Sequence, residues 1–347
     1  MKKVYILFGG PSSEHDIALR SALNLSKNLD KNKYKIKLVY IDKEGKFSET
    51  FNPIDSSNEF DLVKNIQLNK AESIAKFLLE ISKEDLTNTL VIPCVHGSYG
   101  EDGTIQGFLD ASGISYIGNG LLPSAICMDK VTSNDIFEKN KLKQAKYMYA
   151  YKEDFNDDFI KKAISSIGFP LIVKPSANGS SVGVSRVESE EEFKKAGLEA
   201  LKYDHKVLVE ELIVGQEIEI AVVGSGDKVV ASRPAAYVTD HVFLDYDAKY
   251  FSKTTKEEIP YQMNETDLDK ARNFAIDCYR ACGCEGFARV DIFYTESGDL
   301  YINEINTFPG FTPSSFFARM CMLMYNKSFS EVLDILIDNS FKRCEND

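Results

Sequence analysis

The 347-residue chain has seven cysteines, an odd number with no CxxC pair among them, so no disulfide framework is indicated. The thiols fit a reducing compartment. No apolar run approaches membrane-spanning length. The basic start MKKVYILFGG leads into a short apolar run without a cleavage pattern, and reads as a strand rather than a signal peptide. A cytoplasmic location is therefore expected. Cations are in deficit: 41 Lys and Arg stand against 53 Asp and Glu, a formal net charge of −12. That balance argues against nucleic acid or a membrane surface as partner, while a nucleotide remains open to locally gathered lysines. Neither a GxxxxGK[ST] phosphate loop nor a GxGxxG dinucleotide fingerprint occurs. Internal repeats and low-complexity linkers are missing too, which predicts closely packed domains rather than tethered ones. The remaining composition, 44% hydrophobic and 27% charged, is that of a globular protein with two or three domains.

The most informative stretch is FARVDIFYTESGDLYINEINTFPGFTP, residues 287–313. It reads as two strands joined by the polar turn TESGD. Side chains alternate faces along a strand, so Arg289 shares a face with Asp291, and Glu304 with Asn306. A turn centred between Ser297 and Gly298 sets Asp291 opposite Glu304 and Arg289 opposite Asn306. Directly opposed carboxylates repel, and a bound divalent cation removes the conflict. Asp, Glu and Asn offer hard oxygen ligands of the kind that suit Mg²⁺ shared with phosphate oxygens. The alternative is a solvated polar sheet face, which the strongly apolar neighbouring positions disfavour.

Taken in order, the chain opens with alternating strands and helices. VYILFGG (4–10), KIKLVYI (35–41) and LVIPCVHG (90–97) predict strands of a doubly wound α/β domain, with ligand loops at their carboxyl ends. Ser12 and Ser13 offer caps to a helix carrying Ala18, Ala22, Leu25 and Leu29 at helical spacing. Glu14 and His96 lie just beyond strand ends, a position equally suited to a cap or a solvated loop residue. The loop GSYGEDGTIQG (97–107) reads as a turn and helix cap. Lys130 sits in a helix-rich stretch where pattern alone does not select it. The strand PLIV then delivers Lys174 to a small-residue loop, SANGSSVG, containing Ser180 and Ser181. Such a loop allows backbone N–H groups to approach phosphate, with the lysine adding a point charge. A simple hairpin turn is the bland alternative. Glu210 and Glu217 lie on predicted strands and are candidates for ribose hydroxyls, although either one alone reads as a surface charge. Residues 238–260 lack periodicity and read as a long functional loop, with Lys249–Tyr250 the pair most able to do chemistry. A helix from about Glu265 to Cys282 ends at Gly283, and its apolar stripe makes Cys278 and Cys282 buried thiols rather than metal ligands.

In this order and spacing, LFGGPSSEHDIALRSA, HGSYGEDGTIQG, SAICMDK, VKPSANGSSVGVSRV, VLVEEL, VGQEIEIAV, DYDAKY, GFARVDIF and INEINTFPGFTPSS resemble the D-alanine–D-alanine ligases of the ATP-grasp family, over nearly the whole length. The resemblance implies an α/β, ATP-grasp architecture: an N-terminal α/β domain (1–128), a central lid domain (129–215) and a C-terminal metal-binding domain (216–347). It implies ligation of two D-alanines through a D-alanyl phosphate, for peptidoglycan precursor synthesis, with ATP and two Mg²⁺ (or Mn²⁺) ions. Asp291, Glu304 and Asn306 would be the metal ligands, and Lys130, Lys174 and Lys249 the phosphate-binding lysines. Ser181 belongs to the lid loop, and Glu210, Leu212 and Glu217 match the adenine and ribose contacts. Glu14, Ser180 and Tyr250 resemble a hydrogen-bonded trio that closes the site. Arg289 and the backbone of Gly310 would face the oxyanion, Ser315 the second carboxylate, and His96 the first substrate. Small-molecule substrates, no nucleic acid, no membrane and a homodimer are the expected partners. The alternatives are an acceptor such as D-serine, or a non-catalytic nucleotide-binding protein.

Overall fold

The computed structural model describes residues 1–179, 182–238 and 256–344. Strands β1 (Lys2–Gly9), β2 (Tyr34–Ile41) and β3 (Thr89–Cys94) form a parallel sheet in the order β2-β1-β3. Both its faces are covered, as near-continuous apolar strands require. Val4, Ile6 and Phe8 pack with helix α1 (His15–Asn28) on one side. On the other, Tyr5 and Leu7 pack with Phe77 of α2 (Lys70–Ile81) and with Ile105 and Leu109 of α3 (Thr104–Ala111). Ala18, Ala22, Leu25 and Leu29 are buried, as their spacing predicts. The cap differs from expectation. Glu14 itself occupies the N-cap position of α1, and the Ser12 hydroxyl instead accepts from the Glu14 N–H and donates to the His96 carbonyl.

Helices α4 (Leu121–Met128) and α5 (Lys130–Lys139) lead into the second sheet, β4 (Tyr147–Tyr151), β5 (Leu171–Pro175), β6 (Ser185–Val187) and β7 (Lys206–Glu211), in the order β4-β7-β5-β6. The third sheet contains β8 (Gln216–Val223), β9 (Val230–Ala231), β12 (Phe287–Tyr294) and β13 (Leu300–Asn306), in the order β13-β12-β8-β9. The short strands β10 (Ala236–Val238) and β11 (Lys256–Glu258) pair with each other. The helix Glu265–Ala281 packs behind the third sheet, and Gly283 follows it with the positive φ of a C′ residue. Its Cys278 and its cap Cys282 are buried in the core, together with Cys127 and Cys284.

The division of the cores explains how the site is framed. The second sheet has a core of its own, drawn from Ala150 to Val209, which includes the fully buried Phe193 and Val173. The first and third sheets instead share one core. Phe287 of β12 lies within 5.3–5.7 Å, centroid to centroid, of Phe308, Phe311 and Phe317, in the same cluster as Ile6, Phe8 and Leu90. Among the described residues no helix is long and apolar enough to cross a membrane. Because Phe287 is nearly inaccessible, Phe287→Ala is expected to lower stability by about 3–5 kcal/mol in a denaturant titration. A loss below about 1 kcal/mol would contradict its role in joining the two layers.

Candidate active site

The floor of the site is the β12–β13 hairpin with β8 alongside. Asp291 pairs with Glu304 and Arg289 with Asn306, as the sequence predicts, but the route to that register is different. Next to the turn, Tyr294 pairs with Leu300 and Ile292 with Ile302, so the turn centres on Ser297. A bulge at Asn303 then inserts one unpaired residue, and only this shift puts Glu304 across from Asp291. The bulge also explains why Ile302 and Ile305, three residues apart, are both buried.

On the other side of β12, Asp291 pairs with Glu219 of β8. Three carboxylates thus stand in a row across adjacent strands. Strand alternation puts Glu219 on one face with Glu217, yet nothing in the sequence sets it against Asp291. Arg289 offsets the charge. Its Nε and Nη2 each donate to an Asp291 oxygen at 2.7 Å, and Nε lies 3.1 Å from Glu219 Oε2. Asn306 Nδ2 donates to Asp291 Oδ2 at 3.0 Å. Asp291 is only 2% exposed, and burial pushes its carboxyl up to about 7 against the opposing pull of Arg289. Burial works against the charged Arg289 as well, but Asp291 and Glu219 hold it well above its ordinary range.

The second layer of cations comes from α5 and β5. Lys130 Nζ lies 3.0 Å from Glu304 Oε2 and donates to the Asn178 carbonyl at 2.9 Å. Burial would raise Glu304, but Lys130 and Lys174 outweigh it and hold the carboxyl down to about 2. Lys174 Nζ lies 2.6 Å from Glu210 Oε2, and Asn134 Nδ2 donates to the other Glu210 oxygen at 3.1 Å. Lys130 is aimed by its neighbour. Asp129 caps α5 by accepting from the Val131 and Thr132 N–H groups, and is itself held by the Ser176 hydroxyl and by Lys206. No local pattern signals that support, because Asp129 and Lys206 meet only in the fold.

Opposite the hairpin lies the N-terminus of α1. The Glu14 carboxylate lies beside Gly97 and Gly179, the latter at the start of the small-residue loop. His96 is buried, with Nδ1 facing the Phe308 carbonyl at 3.2 Å and Nε2 facing Ser21 Oγ at 3.0 Å. Ser21 also accepts from the Phe311 N–H, and Asn24 donates to the Phe311 carbonyl. Helix α1 therefore fastens the loop that carries Gly310. A side chain at Gly310 would stand 2.8 Å from Ser315 Oγ, and Ser315 begins the helix Phe316–Tyr325.

Glu14, His96, Lys130, Lys174, Glu210, Leu212, Glu217, Arg289, Asp291, Glu304, Asn306, Gly310 and Ser315 all line one cavity of about 1240 Å³. Ser180, Ser181, Lys249 and Tyr250 lie outside the described residues. The donor set on the hairpin is all oxygen, as Mg²⁺ requires. Among the described residues no three Asp, Glu, His or Cys side chains gather closely enough to hold a metal alone.

Comparison with known proteins identifies the family. Residues 3–119 match the family model "D-ala D-ala ligase N-terminus" and residues 136–338 match "D-ala D-ala ligase C-terminus". The D-alanine–D-alanine ligase of Finegoldia magna is 43% identical over 97% of this chain and 95% of its own length. Among solved structures, the D-alanine–D-alanine ligase of Coxiella burnetii superposes with a TM-score of 0.80 at 29% identity, covering 100% of this chain and 97% of that one. A D-Ala:D-Ser ligase of Enterococcus faecalis gives 0.79 at 32% identity, covering 98% and 99%. The Bacillus anthracis D-alanine–D-alanine ligase complexed with ATP gives 0.76 at 26% identity, covering 100% and 99%. The fold is ATP-grasp, and the chain belongs to the D-alanine–D-alanine ligase family.

Proposed function

We propose that the chain condenses two D-alanines to D-alanyl-D-alanine, converting ATP to ADP and phosphate, as a step in making peptidoglycan precursors. The observation that carries this reading is the convergence of Lys130 and Arg289 on the carboxylate row, with Lys174 paired to Glu210, within one cavity that also holds Glu14 and Ser315. A carboxylate does not condense with an amine in water until one of its oxygens becomes a leaving group. In this reading the γ-phosphoryl group passes to the carboxylate of the first D-alanine. The amine of the second then attacks the acyl carbon, and the tetrahedral intermediate expels phosphate. Glu14 takes the ammonium of the first D-alanine, with His96 beside it. Lys130, Lys174 and Lys249 neutralise phosphate oxygens. Arg289 and the Gly310 N–H face the developing oxyanion. Ser315 and the N-terminus of the helix Phe316–Tyr325 receive the second carboxylate. Glu210, Leu212 and Glu217 hold adenine and ribose. Ser180 and Ser181 belong to a lid that excludes water, and Tyr250 joins Glu14 and Ser180 in closing it.

Asp291, Glu304 and Asn306 would hold two Mg²⁺ (or Mn²⁺) ions, which supply positive charge to the transferring phosphoryl group. The proposed working form is a cytoplasmic homodimer, with units at 1–128, 129–215 and 216–347. The separate core of the second sheet supports treating it as the moving lid. D-Serine is the second acceptor to consider, since a D-Ala:D-Ser ligase is among the solved relatives and one hydroxyl in a small pocket is weakly discriminated.

Phosphate release should depend on D-alanine and yield a product with the mass of the dipeptide. Turnover with D-serine, D-lactate or L-alanine but not with D-alanine would overturn the substrate assignment. Arg289→Ala should cut turnover by about 10²–10³ while ATP binding changes little, because one oxyanion donor is worth about 3–4 kcal/mol. An unchanged rate would remove Arg289 from that role.

A further inference from the structure

The bulge at Asn303 interrupts the alternation of β13, so that Asn303 and its successor Glu304 both reach cavity-lining partners, Glu217 and Lys130. Glu304 joins the carboxylate row. Asn303 points elsewhere. Its Nδ2 reaches over β12 and donates to Oε1 of Glu217 on β8, at 2.9 Å. An ionised carboxylate only accepts hydrogen bonds, so the NH₂ end of the amide is the end that faces it. Glu217 pairs in register with Phe293, and all three residues border the cavity.

We propose that Asn303 is a positioning residue for nucleotide binding: it fixes the plane of the Glu217 carboxylate so that this group meets the ribose hydroxyls of ATP. The inference rests on the reading of Glu217 as the ribose acceptor. A glutamate has three side-chain torsions. A charge-assisted hydrogen bond to a strand residue narrows the orientations of its carboxylate before the nucleotide arrives, which strengthens recognition without adding a contact. The bulge makes the arrangement possible. In an unbroken strand successive side chains alternate, so Asn303 and Glu304 could not both face the cavity.

The test compares kcat/KM for ATP with that for 2′,3′-dideoxy-ATP, in the full chain with D-alanine saturating. The wild type should prefer ATP, and Glu217→Ala should lose that preference. Asn303→Ala should narrow it by about tenfold, the scale of one charge-assisted hydrogen bond. Asn303→Asp keeps the side chain's size but sets a second carboxylate against Glu217, and should narrow the preference at least as much. If both Asn303 variants keep the wild-type preference while Glu217→Ala loses it, the role of Asn303 is overturned and the reading of Glu217 stands. The role of Asn303 fails in the same way if Asn303→Ala slows both nucleotides equally, as a purely structural residue would. If Glu217→Ala itself retains the preference, the ribose reading fails and takes this inference with it.

Discussion

Three carboxylates facing one another across adjacent strands form the constraint on which the rest of the site depends. Like charges directly opposed on a ladder destabilise it, and a buried charge without a partner costs more still. The row Glu219–Asp291–Glu304 persists because cations are brought to it from several directions. Arg289 lies on the same strand face, and Lys130 arrives from α5. The protein thus carries in its own side chains the positive charge that a phosphate-transfer site needs.

That economy depends on distant parts of the chain. Lys130 is aimed through Asp129, which Ser176 and Lys206 hold from the second sheet. The loop with Gly310 is fastened by Ser21 and Asn24 on α1, the helix whose first turn begins at Glu14. The helix that begins at Glu14, the loop with Gly310 and strand β12 with Asp291 are therefore tied to one shared core, while Lys174 belongs to a sheet with a core of its own.

Much of the fold is legible in the sequence, since apolar periodicity and glycine punctuation mark most strands and helices. The hairpin pairing of Asp291 with Glu304 follows from alternation and turn chemistry, yet the expected turn centre is off by half a residue and the Asn303 bulge compensates. The spacing of Ile302 and Ile305 is the available signal for the bulge. Glu219 and the Asp129–Lys206 pair are hidden for a different reason: their meaning lies in contacts between segments far apart in the chain. Lys130 is indistinguishable from a solvated helix lysine until the family motif singles it out. Ser12 does not serve as the expected cap because its hydroxyl bonds to Glu14 and His96 rather than to the first turn of α1.

If this charge arrangement activates a carboxylate by phosphorylation, an oxygen atom must move from substrate to phosphate. The most direct test supplies D-alanine labelled with ¹⁸O in both carboxylate oxygens and analyses the released phosphate by mass spectrometry. Attack of a carboxylate oxygen on the γ-phosphorus, followed by expulsion of phosphate by the amine, predicts one ¹⁸O atom in each phosphate released with the dipeptide. Phosphate free of label alongside labelled dipeptide would contradict the mechanism.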